Sequence, residues 1–430
     1  MTESVIIHGD IIYSKSMREL ACYEDSWLVC DSGASGGVYR SREDIPARYK
    51  AYPVVDHSGC LIIPGFTDLH LHAPQFAFRG LGMDKHLIDW LDQVAFPEEA
   101  KYADTRYADM AYRMFAEAMR NSGTARALVY GTHHTDATML LMDTLEKTGL
   151  VTMVGKVNMD RNCPDYICEK DYETSLAETE RWLKLTSERN YANTYPILTP
   201  RFIPACSDKL MIGLANIQGR EHLPLQSHLS ENEDEVKWVS KLCPWSTSYG
   251  QAYDRYGCFG ANGPTVMAHC VWSTDEEMLL IKKNNVFVAH CPASNMNLAS
   301  GMAPVRKYIS MKIKVGLGTD VGAGHCKSMF DAMVQAVEVS KLYWKYVDRH
   351  AKPLTMEEAF CLATRSGGSF FGRCGAFDPG YEFDALVLDE REIRTPIADL
   401  SLKQRLERFI YLGEYRDIKA KYVRGSRVII

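Results

Sequence analysis

The sequence predicts an α/β protein in which a (β/α)₈ TIM barrel carries a small β-sandwich domain formed by the N- and C-terminal segments. The first 65 residues consist of short alternating apolar runs separated by Gly and Asp, which is typical of strands and turns. From about Phe66 onward, short apolar runs alternate with longer segments of helical spacing, which indicates repeated βα units around a parallel sheet. Strand-like sequence returns at 383–390 and 420–430.

Eight apolar runs qualify as barrel strands, which is the number at which βα units close into a ring. They lie at 67–73, 125–132, 151–159, 194–202, 223–230, 265–272, 286–294 and 313–320. A second, smaller domain is expected because 430 residues exceed what one hydrophobic core usually organises. We therefore expect a catalytic barrel at 66–375, with 1–65 and 376–430 forming the two parts of the small β domain.

Composition and charge exclude several classes of function. The net charge is −6 and no dense Lys/Arg stripe occurs, so a polymeric nucleic-acid partner is not expected. The N-terminus lacks a basic segment followed by an apolar run, and no run approaches 18 apolar residues, so we expect a cytoplasmic protein without a membrane segment. The 13 cysteines include no C-x-x-C pair, the nearest two being Cys163 and Cys168, so we expect reduced thiols.

Histidines and acids gather at the carboxyl ends of the predicted barrel strands, which meet on the face where barrel enzymes hold their active sites. His70 and His72 end the first strand, and their spacing of two residues points both imidazoles to the same side. His228 ends the fifth strand and Asp320 ends the eighth. Three nitrogen donors and one carboxylate suit Zn²⁺ or Fe²⁺ better than Mg²⁺ or Ca²⁺. The sequence therefore predicts a divalent metal site, with zinc favoured and iron as the alternative.

Further residues are predicted to move protons and to position water. Glu231 follows His228 by three residues, so its carboxylate can accept a proton from a metal-activated water and pass it to the substrate. The alternative for an acid at this position is a helix N-cap or first-turn charge, and Glu233–Glu235 are most simply the solvated first turn of the next helix. His269, on the sixth strand, is expected to orient the attacking hydroxide. Asp320 is expected to hydrogen-bond that hydroxide and later to carry a proton toward the departing amine.

Nine motifs carry a resemblance that covers most of the chain, from roughly Pro64 to Asp389. They are PGFTDLHLHAPQFAF, DWL, FPEE, VGKVNMD, TPRFIPACS, SHLSENEDE, MAHCVW, AHCPASN and LGTDVGAG. Together they resemble the amidohydrolase superfamily and, within it, the family that deaminates guanine. The resemblance implies that a homodimer hydrolyses guanine to xanthine and ammonia, with Glu231 catalytic and His269 near the attacking water. It implies the metal ligands His70, His72, His228 and Asp320.

The same resemblance implies a small-molecule purine substrate and three residues that bind it. Gln75 matches the position that binds the purine edge, and its amide offers both a donor and an acceptor. Arg201 and Phe202 match the substrate-binding pair of the family. The arginine can donate to the guanine carbonyl oxygen, and the ring can pack on the base. For Trp90, pocket lining and core packing are equal alternatives.

Several features of the sequence separate this prediction from its alternatives. A second zinc-deaminase design uses H-x-E with P-C-x-x-C, and the chain has neither element. Binuclear members of the superfamily carry a carboxylated lysine on strand four, whereas TYPILTPRF contains no lysine and Lys156 falls on strand three. One metal ion is therefore favoured over two. Deamination of 8-oxoguanine or cytosine is the nearest alternative activity, and a non-catalytic scaffold is a remote one.

Overall fold

The structure, a computed structural model, describes residues 4–428. Residues 1–3 and 429–430, the outermost parts of the predicted terminal segments, lie outside the described residues. The strands are β1 (Val5–Ser16), β2 (Glu19–Asp31), β3 (Ala34–Tyr39), β4 (Val54–Pro64), β5 (Phe66–His72), β6 (Thr124–Tyr130), β7 (Val151–Gly155), β8 (Val157–Asn158), β9 (Thr194–Pro196), β10 (Thr199–Pro200), β11 (Leu225–Leu229), β12 (Thr265–His269), β13 (Phe287–His290), β14 (Val315–Leu317), β15 (Ala385–Leu388), β16 (Ile418–Val423) and β17 (Ser426–Val428). The helices are α1 (Leu87–Trp90), α2 (Phe96–Glu99), α3 (Thr105–Arg120), α4 (Thr135–Glu146), α5 (Tyr172–Arg189), α6 (Asp208–Glu221), α7 (Glu233–Leu242), α8 (Tyr249–Tyr256), α9 (Asp275–Lys283), α10 (Pro292–Asn297), α11 (Val305–Ser310), α12 (Met329–Tyr346), α13 (Met356–Cys361) and α14 (Leu402–Leu412). Within residues 4–428, no helix combines the length and the apolar character needed to cross a bilayer.

Both ends of the chain contribute to one mixed sheet of seven strands, in the order β17-β16-β15-β4-β1-β2-β3. β1 and β4 pair in parallel, and the other neighbours pair antiparallel. Successive side chains of a strand point to opposite faces. In β4, Leu61 and Ile63 therefore join the large core that contains the barrel residues, while Cys60 and Ile62 join a separate core of this sheet. The predicted union of the two terminal segments in a β domain is confirmed.

The barrel strands form two parallel sheets of four, β5-β6-β7-β9 and β11-β12-β13-β14. A bridge between Leu198 and Leu225 joins the sheets on one side. On the other side, the backbone N–H of Asp320 donates to the carbonyl oxygen of His70 at 2.8 Å. Each of the eight predicted ranges overlaps a strand, but the third is interrupted between β7 and β8 and the fourth between β9 and β10. The predicted barrel is confirmed, and its ring brings the carboxyl ends of the strands to one face.

Buried polar contacts fasten the small sheet to the barrel. On β6, Arg126 donates from Nε to Asp384 at 2.5 Å and from Nη2 to Glu382 at 2.9 Å. On β16, Lys421 donates from Nζ to the carbonyl oxygen of Arg120 at 2.6 Å, at the end of α3. Because a buried charge is costly without such partners, these contacts tie the C-terminal segment firmly to the first βα units of the barrel.

The cysteines depart from expectation at one pair. Cys163 and Cys168 form a disulfide in the loop between β8 and α5, whereas ten of the other cysteines carry free thiols. The prediction of reduced thiols is therefore wrong for this pair. The loop returns on itself within five residues and brings the two Cα atoms to 5.4 Å, a separation that a disulfide spans.

Candidate active site

Five predicted residues converge at the carboxyl ends of the barrel strands. Nε2 of His72 lies 3.2 Å from Nε2 of His228. Nε2 of His70 lies 3.2 Å from Oδ1 of Asp320, and Oδ2 of that carboxylate lies 3.7 Å from Nε2 of His269. His228 is half-buried and the other four are buried. Residues that are distant in sequence thus form one compact cluster, as the barrel predicts.

The backbone turns sharply where two of these side chains leave the barrel. His269 and Asp320 adopt left-handed conformations, with φ of 71° and 49°. Such angles are unfavourable for residues other than glycine and persist where neighbouring structure imposes them. Here the N–H of Cys270 donates to the carbonyl oxygen of Leu229 at 2.9 Å, and the N–H of Gly324 donates to that of Asp320 at 2.6 Å. Adjacent elements therefore hold both side chains over the mouth of the barrel.

The chemistry of this donor set fits a divalent cation. One ring nitrogen from each of His70, His72 and His228 lies within 4.8 Å of the others. Nε2 of His70 lies 3.2 Å from Oδ1 of Asp320 but without the geometry of a hydrogen bond, and this buried atom has no other partner among residues 4–428, which is costly unless another group takes its lone pair. Nδ1 of His228 lies 2.6 Å from the carbonyl oxygen of Arg201, so Nδ1 carries the hydrogen and Nε2 is left free to act as a ligand.

Burial and mutual charge hold the cluster in the protonation states that bind metal. Burial, reinforced by the nearby His70, holds the pKa of His72 and of His228 well below the usual range, so these imidazoles are neutral. Burial by itself would raise the pKa of Asp320, but the surrounding His70 and His269 outweigh it and lower that pKa. Neutral imidazoles beside an ionised carboxylate bind a cation without first releasing protons.

Glu231 lies beside this cluster rather than at a helix cap. Its Oε2 is 3.5 Å from Nε2 of His269, and Ser300 donates from Oγ to its Oε1 at 3.3 Å. Burial, with the nearby Asp320, raises the pKa of Glu231 well above its usual value. The N-cap of α7 is Asn232, so the helix-cap alternative for Glu231 is wrong. A buried carboxyl group with a raised pKa is suited to holding and passing on a proton.

The acids after Glu231 separate into two kinds. Glu233 and Asp234 are exposed, as expected, but Glu235 is buried, so the prediction of a solvated turn is wrong for Glu235. Its Oε2 accepts from the backbone N–H of Glu231 at 2.9 Å, and its Oε1 accepts from the hydroxyl of Tyr249 at 2.8 Å. Glu235 thus holds the backbone that carries Glu231. The sequence contained a signal for this, because Asn-x-x-Glu is the spacing of a capping box, which the structure shows.

A cavity opens beside the cluster, and its lining combines apolar side chains with a few polar groups, as small-ligand sites do. Gln75, Arg201 and Phe202, the predicted substrate contacts, all lie on its wall. Trp90 is both buried and part of this wall, so it packs in the core and also lines the pocket. The remaining lining residues are His72, Leu87, Leu91, His228, Glu231, Glu235, His269, Leu298, Asp320 and Ala323. The cavity thus joins an acidic and imidazole floor to apolar walls.

Among the residues that sequence reasoning missed, Glu99 and Asn295 each contact a predicted site residue. Glu99 accepts hydrogen bonds from Gln75 and from both terminal nitrogens of Arg201. Asn295 lies with its Oδ1 2.9 Å from Nδ1 of His269. Both stand inside quoted motifs, FPEE and AHCPASN, but no spacing within the sequence links either residue to its partner.

Comparison with known proteins places this arrangement in a family. Residues 61–428 match the model of the Amidohydrolase family. Guanine deaminase of Dictyostelium discoideum is 37% identical over 381 residues, covering 87% of this chain and 84% of that protein. The Homo sapiens guanine deaminase is also 37% identical over 381 residues, covering 85% and 82% respectively.

The solved structures agree with these sequence relatives. The guanine deaminase from C. acetobutylicum, described with guanine bound in its active site, is 44% identical, with a TM-score of 0.95 and 99% and 100% of the two chains covered. An adenosine deaminase from Xanthomonas campestris with bound zinc has a TM-score of 0.83 at 20% identity, covering 100% and 93% of the two chains. At that identity the likeness concerns the fold alone.

The barrel, its cluster of imidazoles and carboxylates and these relatives define a hydrolase that acts on C–N bonds. Membership of the Amidohydrolase family, together with the histidine cluster, implies a divalent metal. Since relatives above 30% identity match most of both chains, the chain belongs to the guanine deaminase family of the amidohydrolases.

Proposed function

We propose that this protein hydrolyses guanine to xanthine and ammonia. The observation that carries the proposal is one cavity in which a histidine and carboxylate cluster faces Gln75 and Arg201, side chains that suit the edge of a purine. The guanine deaminase from C. acetobutylicum, described with guanine in its active site and 44% identical to this chain, supports the same substrate.

His70, His72, His228 and Asp320 are proposed to hold one divalent ion, zinc in preference to iron. Nitrogen donors with a single carboxylate favour these metals. When bound, the ion supplies a Lewis acid that lowers the pKa of water toward neutrality. A single ion is proposed because the buried Lys156 is paired away from the cluster. Its Nζ lies 2.6 Å from Oε1 of Glu169.

The protein's own groups then move the protons. Glu231 accepts a proton from the attacking water and delivers it to a ring nitrogen of guanine, which makes the amino-bearing carbon more electrophilic. Nε2 of His269 and the carboxylate of Asp320 orient the oxygen that attacks this carbon. The carbon–nitrogen bond breaks after a second proton reaches the amino group through Asp320, so one guanine and one water yield one xanthine and one ammonia.

Three side chains are proposed to bind the base. Arg201 donates to the guanine carbonyl oxygen, and Gln75 presents an amide to the purine edge. Phe202 packs on the ring system. Support comes from their shared place in the cavity lining and from Leu87, Leu91 and Leu298 in the same lining, whose apolar side chains limit water around the base.

A cytoplasmic homodimer is the proposed working form. Ten free thiols suit a reducing compartment. Leu342, Tyr346 and Val347 leave exposed apolar area near the end of α12, of the kind that a second copy covers. Light scattering is expected to give about twice the chain mass of 48.6 kDa; a mass equal to one chain contradicts the dimer.

The deciding experiment offers guanine, 8-oxoguanine and cytosine in parallel to zinc-loaded protein and measures released ammonia. Guanine is expected to yield xanthine and ammonia in equal amounts. Ammonia from 8-oxoguanine or cytosine but not from guanine would replace the proposed substrate, and no ammonia from any base would remove the proposed activity.

A further inference from the structure

Glu99 lies at the centre of a buried hydrogen-bond network behind the cavity wall. Its Oε2 accepts from Nη1 of Arg201 at 2.6 Å, and its Oε1 accepts from Nη2 at 3.0 Å. Oε1 also accepts from Nε2 of Gln75 at 2.8 Å. All three side chains are buried. Glu99 is the last residue of α2, whereas its partners follow β5 and β10, so one carboxylate joins three separate elements.

We propose that Glu99 is a positioning residue that fixes which purines the cavity accepts. The inference rests on the proposed function, since it concerns how Arg201 and Gln75 present themselves to a base. Glu99 itself does not belong to the described residues that line the cavity, so it acts through these two partners.

Its first effect is on the plane of Arg201. A guanidinium has five N–H donors in a rigid fork, and two parallel bonds to one carboxylate fix the plane of that fork. The ring of Phe96, whose centroid lies 4.9 Å from Cζ, packs against the same group. The donors that Glu99 does not use therefore point in a constant direction. A base with a carbonyl oxygen in that direction is preferred over one with an amino group there.

Its second effect is on the amide of Gln75. Nε2 donates to Glu99, and Oε1 accepts from the backbone N–H of Gly322 at 3.2 Å. Only one orientation of the amide satisfies both partners, because exchanging oxygen and nitrogen places like groups together at each end. The purine edge therefore meets one N–H and one lone pair in a constant order.

Its third effect is on charge. Arg201 is buried, and Glu99 is the one carboxylate that pairs with its guanidinium among the described residues, so removing Glu99 leaves this cation unpaired. A buried unpaired cation attracts anions strongly. Glu99 therefore keeps this end of the cavity neutral, which suits neutral guanine. It also weakens the hold on xanthine, which ionises more readily than guanine, and so favours release of the product.

The test compares Glu99→Gln with the parent protein, both loaded with zinc. Equilibrium binding is measured for hypoxanthine, which carries an oxygen on C6, for adenine, which carries an amino group there, and for xanthine. Neither hypoxanthine nor adenine carries the C2 amino group that guanine loses. We expect the preference for hypoxanthine over adenine to fall by about tenfold or more. Xanthine is expected to bind more tightly as the pH rises. The loss in kcat/KM for guanine is expected mainly in KM, with zinc content unchanged.

Two further variants complete the experiment. Glu98→Gln makes the same change on the neighbouring residue, whose carboxylate pairs with Lys101 at 2.6 Å at the surface, and is expected to behave like the parent. Glu99→Asp keeps the charge but draws the carboxylate back. Glu99→Asp is expected to lose the preference for hypoxanthine over adenine without gaining affinity for xanthine. It also serves in place of Glu99→Gln if the unpaired Arg201 prevents folding.

An unchanged preference for hypoxanthine over adenine in Glu99→Gln, or in Glu99→Asp where the first does not fold, overturns this inference while leaving guanine deamination intact. Failure of the parent protein to release ammonia from guanine overturns the proposed function instead. The two failures are therefore distinct.

Discussion

Nδ1 of His269 lies 2.9 Å from Oδ1 of Asn295, a residue of α10 that follows the next barrel strand. An amide oxygen is an acceptor, so Nδ1 carries the hydrogen and Nε2 keeps its lone pair. Nε2 faces Glu231 at 3.5 Å and Asp320 at 3.7 Å. Asn295 therefore presents His269 to the reaction as a hydrogen-bond acceptor, the form that can hold an attacking water.

Replacing Asn295 is expected to change catalysis without removing metal. Asn295→Leu deletes the acceptor and should lower kcat by about 10- to 100-fold, because the His269 tautomer is no longer fixed. Asn295→Asp keeps an acceptor and should retain more activity. Steady-state kinetics and zinc content are measured on both variants. A Leu variant with the parent kcat contradicts the assignment.

Glu231→Gln is expected to keep the metal and lose turnover. The amide has the size of the carboxyl group but cannot relay a proton, and general acid–base catalysis contributes about 10²- to 10⁴-fold. Ammonia release and metal analysis on the same preparation test this. Glu233→Gln is the matched control, since Glu233 is exposed two residues further on and is expected to be silent. Activity within a few-fold of the parent in Glu231→Gln removes Glu231 from the mechanism.

The barrel and the imidazole cluster could be predicted because both follow from periodic features of the sequence. Apolar runs alternate with helical segments, and a closed parallel ring then brings every strand end to one face. The closed ring alone predicts that His70 and Asp320 meet, and Nε2 of His70 lies 3.2 Å from Oδ1 of Asp320. Their roles as metal ligands remain a prediction, as does the division of the chain at residues 65 and 375.

The residues behind the cluster could not be predicted in the same way. Glu99 is 102 residues from Arg201 and 24 residues from Gln75 in the sequence. These residues meet through the packing of helices, which no periodic pattern specifies. The disulfide between Cys163 and Cys168 depends on the path of one loop. Glu235 differs from these, because the spacing Asn-x-x-Glu is that of a capping box, whereas the burial of this carboxyl group depends on packing that the sequence does not specify.

Removing the divalent ion is expected to abolish activity and lower thermal stability together. A ligand that binds the folded state alone stabilises it by mass action, and the three imidazoles of the cluster form one site only when folded. Dialysis against a chelator followed by calorimetry measures the fall in Tm, and added zinc is expected to restore both properties. His228→Ala serves as the comparison, since its Tm should respond much less to zinc. A Tm that ignores both chelator and zinc contradicts a resident ion.

Stability is expected to depend on pH through Glu235. Burial, together with the nearby Glu231, raises the pKa of Glu235 from 4.5 to about 7. Between these values the folded state binds more protons than the unfolded state, so stability from this group is fully present below pH 4.5 and is lost as the pH rises to about 7. A shift of this size corresponds to a loss of up to roughly 3 kcal/mol.

Urea unfolding of the parent and of Glu235→Gln from about pH 5 to about pH 8 isolates this contribution. The glutamine stays neutral throughout, so its stability lacks the titration of Glu235 while other groups titrate alike in both proteins. We expect the stability of the parent relative to the variant to fall with rising pH and to level off above about pH 7. A difference that stays constant over the range means that folding does not raise this pKa, and a difference that grows with pH means that the carboxylate is favoured in the folded state.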